Sequence, residues 1–231
     1  METENKYCYR YPHPAVTTDC AIFGFDGNQL KILLVRRGIE PFKGRWAFPG
    51  GFLNIDEPAE EGALRELKEE TGLSTAYLEQ FHTYSDPARD PRERIITIAY
   101  LALVRIQDVA GGDDAAEARW FAVDEVPPLA FDHDVILRDA LLRLRERICF
   151  HPVGYDLLPE KFTLRELQTL YEAILGKRFD RRNFAKKMIH LDILNQLDET
   201  TWPTPKREAN LYSFNLEKYN ELKQNGFRLE F

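Results

Sequence analysis

Cysteine, methionine and long apolar runs are scarce in this sequence, and each scarcity excludes a class of protein. The 231 residues contain three cysteines and two methionines. The cysteines, Cys8, Cys20 and Cys149, are odd in number and form no CxxC pair, which argues against a disulfide framework or a structural zinc site. No run of about 18 apolar residues is present, and the first residues lack the apolar stretch of a secretory signal. We therefore expect a cytoplasmic protein that does not enter membranes.

The composition is that of a folded chain whose two parts differ in charge. Hydrophobic residues make up 44% and charged residues 30%, which excludes a disordered or fibrous protein. Residues 1–150 hold 18 Lys and Arg against 26 Asp and Glu, whereas residues 151–231 hold 13 against 12. The length suits two modest domains. We place their boundary at residue 150, where a stretch containing Pro and Gly begins.

The first part of the chain predicts a sheet with two helices, which is an α+β arrangement. Two β-rich segments flank Asp26-Gly27-Asn28, a strong signal for a β-hairpin. Apolar residues at helical spacing after Asp132 predict an amphipathic helix that closes the domain. The predicted strands cover 15–25, 30–36, 45–50, 76–85, 94–106 and 117–123, and the predicted helices cover 58–71 and 132–148.

The second part predicts two helices followed by a hairpin. Thr163 and Glu166 have the spacing of a capping box at the start of a helix, and Gly176 suits its end. This order is typical of a winged helix-turn-helix. The predicted elements are a linker over 150–161, helices over 163–176 and 181–194, and strands over 194–198 and 210–215.

A group of carboxylates on the first predicted helix is the most specific pattern. On a helix, Glu66, Glu69 and Glu70 stand at i, i+3 and i+4, so their carboxylates share one face. Their repulsion is relieved by a divalent cation, and hard oxygen ligands suit Mg²⁺ or Mn²⁺. Arg65 can reach Glu69 and, if the preceding loop folds back, Glu57, and so hold a ligand in place. The alternative is a solvated acidic helix carrying stabilising Glu–Arg pairs.

Residues 51–73 match the signature of the Nudix hydrolases, GX5EX7REUXEEXGU, at every specified position, so the chain resembles that family. The resemblance implies an α/β/α sandwich around a mixed sheet. It also implies cleavage of a nucleoside diphosphate linked to another moiety, with metal ions held by Glu66, Glu69 and Glu70 and assisted by the Gly51 carbonyl.

The segments beside the signature narrow the substrate. Residues 85–100 and 129–133 resemble the ADP-ribose pyrophosphatase branch and its regulatory relatives. For an enzyme, this resemblance implies metal-assisted attack of water on ADP-ribose to give AMP and ribose 5-phosphate. The further candidates are Glu117 as an acidic ligand or base, Arg89, Arg92 and Arg94 as a diphosphate clamp, and Phe48, with Phe42 and Trp46, for stacking adenine. Each candidate has a structural alternative. Glu117 can be a surface residue of a strand, the three arginines can form salt bridges within their loop, and the aromatic residues can pack in the core. We interpret His133 as structural.

Residues 162–214 resemble the DNA-binding domain of NrtR-type regulators. Some proteins of this layout have lost catalytic carboxylates and only sense a ligand, whereas this sequence keeps every one. The candidate DNA contacts are Arg181, Arg182, Asn183, Lys186 and Lys187 on the second helix and Lys206 and Arg207 at the wing.

Two hypotheses follow for the whole chain. The first is a Mg²⁺-dependent ADP-ribose pyrophosphatase, and the alternative is a DNA-binding regulator whose Nudix domain senses ADP-ribose or a sugar. The predicted partners are ADP-ribose, operator DNA through residues 162–215, and a second copy of the chain, since two-fold sites need paired readers. A bare packing or dimerisation appendage is the rival interpretation of the second domain.

Overall fold

A seven-stranded mixed sheet forms the centre of the first domain in the computed structural model, which describes residues 9–74, 77–107, 109, 115–150, 154–204 and 207–224. The strand order is β3-β2-β1-β6-β5, with β4 paired to β1 and β7 paired to β2. The β1–β6 pair is parallel and the other pairs are antiparallel. The strands are β1 (Ala15–Phe25), β2 (Leu30–Arg37), β3 (Trp46–Ala47), β4 (Gly50–Phe52), β5 (Tyr77–Tyr84), β6 (Ile95–Leu103) and β7 (Ala115–Ala122).

The sheet lies between two helices, as predicted. Successive strand residues point to opposite faces, so β1 serves two cores. Cys20 and Ile22 pack in one core with α1 (Ala59–Thr71), and Ala21 and Phe23 lie in the other core with α2 (His133–Arg147). The predicted α/β/α sandwich is confirmed.

The second domain is a winged helix. The capping box is present at α4, where the Glu166 N–H donates to Thr163 Oγ1 at 3.2 Å and the Thr163 N–H donates to Glu166 Oε2 at 2.7 Å. Gly176 ends this helix with a φ of 66°, a left-handed conformation that favours glycine. The elements are α3 (Gly154–Leu157), α4 (Leu164–Leu175), α5 (Arg181–His190), β8 (Leu194–Thr204), β9 (Arg207–Phe214) and α6 (Leu216–Gln224).

Several boundaries differ from the sequence prediction. The segment predicted as a linker contains α3, because Leu157 and Leu158 are buried. α5 ends at His190 rather than at residue 194, since Asp192 adopts a φ of 58° outside the helical region. Both hairpin strands are longer than predicted, and α6 was not predicted at all.

The two domains share one apolar core. Leu144 and Ile148, at the end of α2, pack in the same core as Tyr171 and Ile174 of α4. Arg145 of α2 also donates from Nε to the Ile174 carbonyl at 3.0 Å. α2 therefore connects the sheet domain to the first helix of the winged domain. Among the described residues, none of the helices combines the length and apolar composition that crossing a bilayer demands.

Candidate functional site

A cavity of about 130 Å³ opens at one end of the sheet. Its wall brings together side chains that are far apart in the sequence. It is lined by Asp19 of β1, Arg37 of β2, Gly51 of β4, Glu70 of α1 and His133 of α2, among others. The acidic helix thus contributes its last turn to a pocket that also contains cationic groups, an arrangement suited to a charged ligand.

Arg65 is the centre of the carboxylate group. Its Nη1 contacts Glu66 Oε1 at 2.7 Å and Glu69 Oε2 at 3.0 Å. Its Nε and Nη2 contact the Glu57 carboxylate at 3.0 and 2.6 Å. The hydrogen bonds to Arg65 lower the pKa of Glu57 to about 2. Both contacts that the sequence predicted for Arg65, to Glu69 and to Glu57, are present, and its part in catalysis stays a prediction.

Two glycines bring the backbone close to the predicted metal ligands. The Gly50 N–H donates to Glu70 Oε2 at 2.8 Å. A Cβ atom on Gly51 would lie only 2.3 Å from Glu66 Oε1, so this position accepts no side chain without displacing the carboxylate. Burial raises the pKa of Glu66, as expected for an acid that the fold holds partly away from water.

The carboxylates suit a divalent cation in chemistry but are turned to other partners in this structure. Within the described residues, no three His, Cys, Asp or Glu side chains converge tightly enough to form a metal site. Glu66 and Glu69 face Arg65, and Glu70 faces Gly50. Hard oxygens beside a side-chain-free Gly51 nevertheless fit Mg²⁺ or Mn²⁺, which bind carboxylates and keep sites for water and phosphate.

Arg89, predicted as a substrate clamp, is part of a buried ion pair. Its Nε and Nη2 donate to the two Asp132 oxygens at 2.9 and 2.7 Å, and Asp19 lies 3.5 Å from Nη2. The Arg89 side chain is only 3% exposed. It lines the cavity, but its donors are already directed at carboxylates, so the structure supports the alternative of an internal salt bridge.

The other two predicted clamp residues differ from each other in position. Arg92 lines the cavity, and its guanidinium donates two hydrogen bonds to Asp90 and lies over the Phe52 ring at 5.3 Å. Arg94 donates to the Ser85 carbonyl at 2.6 Å and is not part of the cavity wall. The structure therefore brings Arg92, but not Arg94, to the site.

Phe48 and His133 form one buried unit beside the cavity. The rings stack with centroids 5.1 Å apart, and His133 Nδ1 accepts from the Phe48 N–H at 3.0 Å. Burial lowers the pKa of His133, which favours the neutral ring that this hydrogen bond needs. His133 thus has the structural contacts expected of it. Phe48 lines the cavity, but it also packs in the core.

The remaining candidates of the first domain lie outside the cavity wall. Glu117 of β7 faces Arg36 across the strand pair at 3.9 Å, with 47% of its side chain exposed, which supports the surface alternative. Trp46 packs edge-on against Phe121, and Phe42 packs edge-on against Phe131. Neither of these two predicted aromatics is part of the cavity lining.

Arg37 is a cavity residue that the sequence analysis missed. Its guanidinium lies over the Phe131 ring at 4.8 Å, and its Nη2 is buried without a hydrogen-bond partner in the described structure. Burial, followed by the nearby Arg92, lowers the pKa of Arg37. The available signal was a cation ending an apolar strand, directly before the loop that forms the cavity rim. A buried donor of this kind suits an anionic ligand group.

The predicted DNA-binding residues are distributed around α5. Arg181, Arg182, Asn183 and Lys186 are exposed, and Lys187 is half-buried. The α5 N-terminus is capped by Asp180, which accepts from the Asn183 N–H at 2.9 Å. Lys206 lies outside the described residues, and only the backbone of Arg207 is described.

Comparisons with known proteins cover both domains. Residues 13–140 match the NUDIX domain model, and residues 154–214 match the model of the NrtR DNA-binding winged helix domain. The ADPR responsive transcriptional repressor NtrR of Acinetobacter baylyi is 36% identical over 215 residues, which is 91% of this chain and 86% of that protein.

Two further relatives differ in how much of this chain their similarity covers. The ADP-ribose pyrophosphatase of Methanocaldococcus jannaschii is 44% identical over 129 residues, covering 56% of this chain and 74% of that protein. The crystal structure of Shewanella oneidensis NrtR complexed with a 27mer DNA is 31% identical, with a TM-score of 0.77, and covers 93% of this chain and 97% of that one. This chain therefore belongs to the Nudix family and carries the winged helix domain of NrtR.

Proposed function

We propose that this protein is a DNA-binding regulator whose Nudix domain senses ADP-ribose. The observation that carries the proposal is the physical connection between the ligand cavity and the winged domain through α2. The repressor relative supports it, since its similarity covers 91% of this chain, whereas the similarity of the pyrophosphatase relative covers 129 residues, no more than the length of the first domain. We place the regulator before the hydrolase for this reason.

The connection begins at the cavity wall. Asp132, the residue before α2, holds Arg89 by two hydrogen bonds, and His133, the first residue of α2, lines the cavity. A ligand that displaces either group acts directly on the start of this helix. Because an α-helix of 15 residues is a stiff rod about 22 Å long, its far end moves with its beginning.

The connection ends at the DNA-binding helices. Arg145 donates to the Ile174 carbonyl in the last turn of α4. From the same helix, Gln168 Nε2 donates to the Phe179 carbonyl at 3.0 Å, and Glu172 accepts from the Phe179 N–H at 2.8 Å. These bonds fix the turn before α5. A shift of α2 thus reaches the exposed basic helix through packed, hydrogen-bonded elements.

The DNA-binding half of the proposal is tested with fluorescence anisotropy of the full chain on DNA from upstream of its own gene. Wild type is expected to bind with an affinity that falls steeply with salt, because phosphate contacts release counterions. Arg182→Ala/Lys186→Ala should weaken binding, whereas Arg119→Ala/Arg138→Ala, which removes two exposed arginines of the first domain, should not. Salt-insensitive binding, or equal loss in both variants, would count against the proposal.

The proposed state in solution is a homodimer, since paired winged helices read two-fold sites. Light scattering coupled to size-exclusion chromatography measures it. A mass of twice 26.9 kDa agrees with the proposal, and a monomer bound to DNA contradicts it.

Hydrolysis of ADP-ribose is the second candidate, because all the signature carboxylates are present. Glu66, Glu69 and Glu70, with the Gly51 carbonyl, would hold Mg²⁺ or Mn²⁺. Such an ion would neutralise negative charge on the ligand and lower the pKa of a bound water, so that a nucleophile would be available at neutral pH. Arg65 orients Glu66 and Glu69 through its two short hydrogen bonds.

The hydrolase candidate is tested by chromatography of AMP released from ADP-ribose with and without Mg²⁺. Glu70→Gln should abolish metal-dependent release, while Glu61→Gln, at an exposed position of the same helix, should leave it unchanged. Release that survives Glu70→Gln would refute the assigned site. Absence of release from a wild-type protein that binds ADP-ribose would leave the regulator as the function.

A further inference from the structure

The exposed face of α5 carries one apolar residue among its polar ones. Ile189 is 54% exposed, and it is the only large hydrophobic side chain that is exposed on α5. It follows Arg182 by seven positions and Lys186 by three, so the three side chains share one face of the helix. Phe184 and Met188 lie on the opposite face, in the core.

The neighbours of Ile189 point to a nucleic acid rather than to an apolar protein surface. Among the described contacts, neither Arg182 nor Lys186 forms an ion pair with an acidic residue of this chain. Arg181, Asn183 and His190 are the other exposed polar residues of this helix. A protein partner of α5 would require a broader apolar patch, since the centres of protein interfaces are depleted in charge.

The DNA major groove presents one apolar feature, the C5-methyl group of thymine, which lies among polar base edges and flanking phosphates. A helix with cations around a single aliphatic side chain matches that pattern. We propose that Ile189 contacts a thymine methyl group and so contributes to the choice of DNA sequence. This inference rests on the proposed DNA-binding function and adds a base-reading residue to it.

The test removes the Ile189 side chain and the thymine methyl groups, separately and together, and compares the losses of DNA affinity. The full-length wild type is first used to select its site from a random DNA pool. Each thymine of that site is then replaced by deoxyuridine, which removes only the methyl group. Wild type should lose about fourfold in affinity at one or two positions, the effect of one buried methyl group. Ile189→Ala should bind the unmodified site more weakly and lose nothing further at those positions.

Controls keep the result specific. Ile189→Val retains branched methyl groups and should keep the thymine preference. Leu142→Ala, which removes an exposed leucine of α2, should behave as wild type. The inference is overturned if every deoxyuridine effect is unchanged in Ile189→Ala, or if that variant loses dimerisation instead of sequence preference. A wild type that selects no site overturns the proposed function itself, and with it this inference.

Discussion

The buried pair between Arg89 and Asp132 makes a quantitative prediction about stability. Asp132→Asn leaves the Arg89 charge in place, on a side chain that is 3% exposed, and removes its principal counter-charge. Breaking a buried pair on one side typically costs about 3–5 kcal/mol. Asp19 lies 3.5 Å from Arg89 Nη2 and still balances part of the Arg89 charge in the variant. We therefore expect a loss of unfolding free energy at the lower end of this range, about 3 kcal/mol. For a chain of this size that loss lowers Tm by roughly 6–12 °C.

Two properties make Asp132→Asn a clean test. The Asp132 side chain makes no capping hydrogen bond to α2, so the substitution does not remove a helix cap. Asp124→Asn, at an exposed position, provides the matched control and should change stability by less than about 0.5 kcal/mol.

Urea unfolding and calorimetry measure both variants. Arg89→Leu/Asp132→Leu should recover much of the loss, because removing both partners leaves no unpaired charge. A stable Asp132→Asn protein that has lost only ligand affinity would refute the structural role and restore Arg89 to the predicted clamp.

Three further predictions address the winged domain, its connection and the cavity. Thr163→Ala should reduce the free energy of unfolding by about 1 kcal/mol, measured by urea unfolding, because it removes the capping box; an unchanged midpoint would contradict this. Arg145→Gln should reduce the effect of ADP-ribose on DNA affinity, whereas Arg138→Gln on the same helix should not, as followed by anisotropy; equal effects would exclude the Ile174 contact from the coupling. Burial lowers the pKa of His133 in the folded protein, so that as pH falls this side chain is protonated in the unfolded state before it is protonated in the folded state. The stability that His133 contributes above about pH 6.5 is therefore lost on acidification. His133→Gln should therefore lose less stability than wild type between pH 8 and pH 5 in thermal melts, and parallel losses would contradict the assignment.

Local patterns predicted most of the fold correctly. The β-rich segment of β1, the Asp26 turn and the Thr163 capping box are encoded within a few residues, so the sequence displays them directly. α6 also had a local signal that was overlooked: Asn215 accepts from the Lys218 N–H at 3.0 Å, and Tyr219 is buried at the spacing of the next turn. α3 is different, since the burial of Leu157 depends on the core that both domains build.

The residues of the candidate site that lie on α1 could be predicted from the sequence, whereas those on other elements were harder to assign. Glu66, Glu69 and Arg65 meet because helical spacing brings them together. Arg89 could not be assigned from its loop, because Asp132 is distant in sequence and only the fold brings the two side chains together. Arg37 has a local signal, a cation at the end of an apolar strand, but its place at the cavity also depends on the loop that carries Phe131.

In the proposed regulator, ADP-ribose and DNA influence one another through α2. The most direct measurement is calorimetric titration of ADP-ribose into the full-length protein, alone and in complex with its selected DNA site. Linkage requires that DNA change the affinity for ADP-ribose by the same factor by which ADP-ribose changes the affinity for DNA. We expect the affinity for ADP-ribose in the complex to differ from that of the free protein by about 5-fold or more, the lower end of usual allosteric coupling. Equal affinity in both titrations would contradict this expectation.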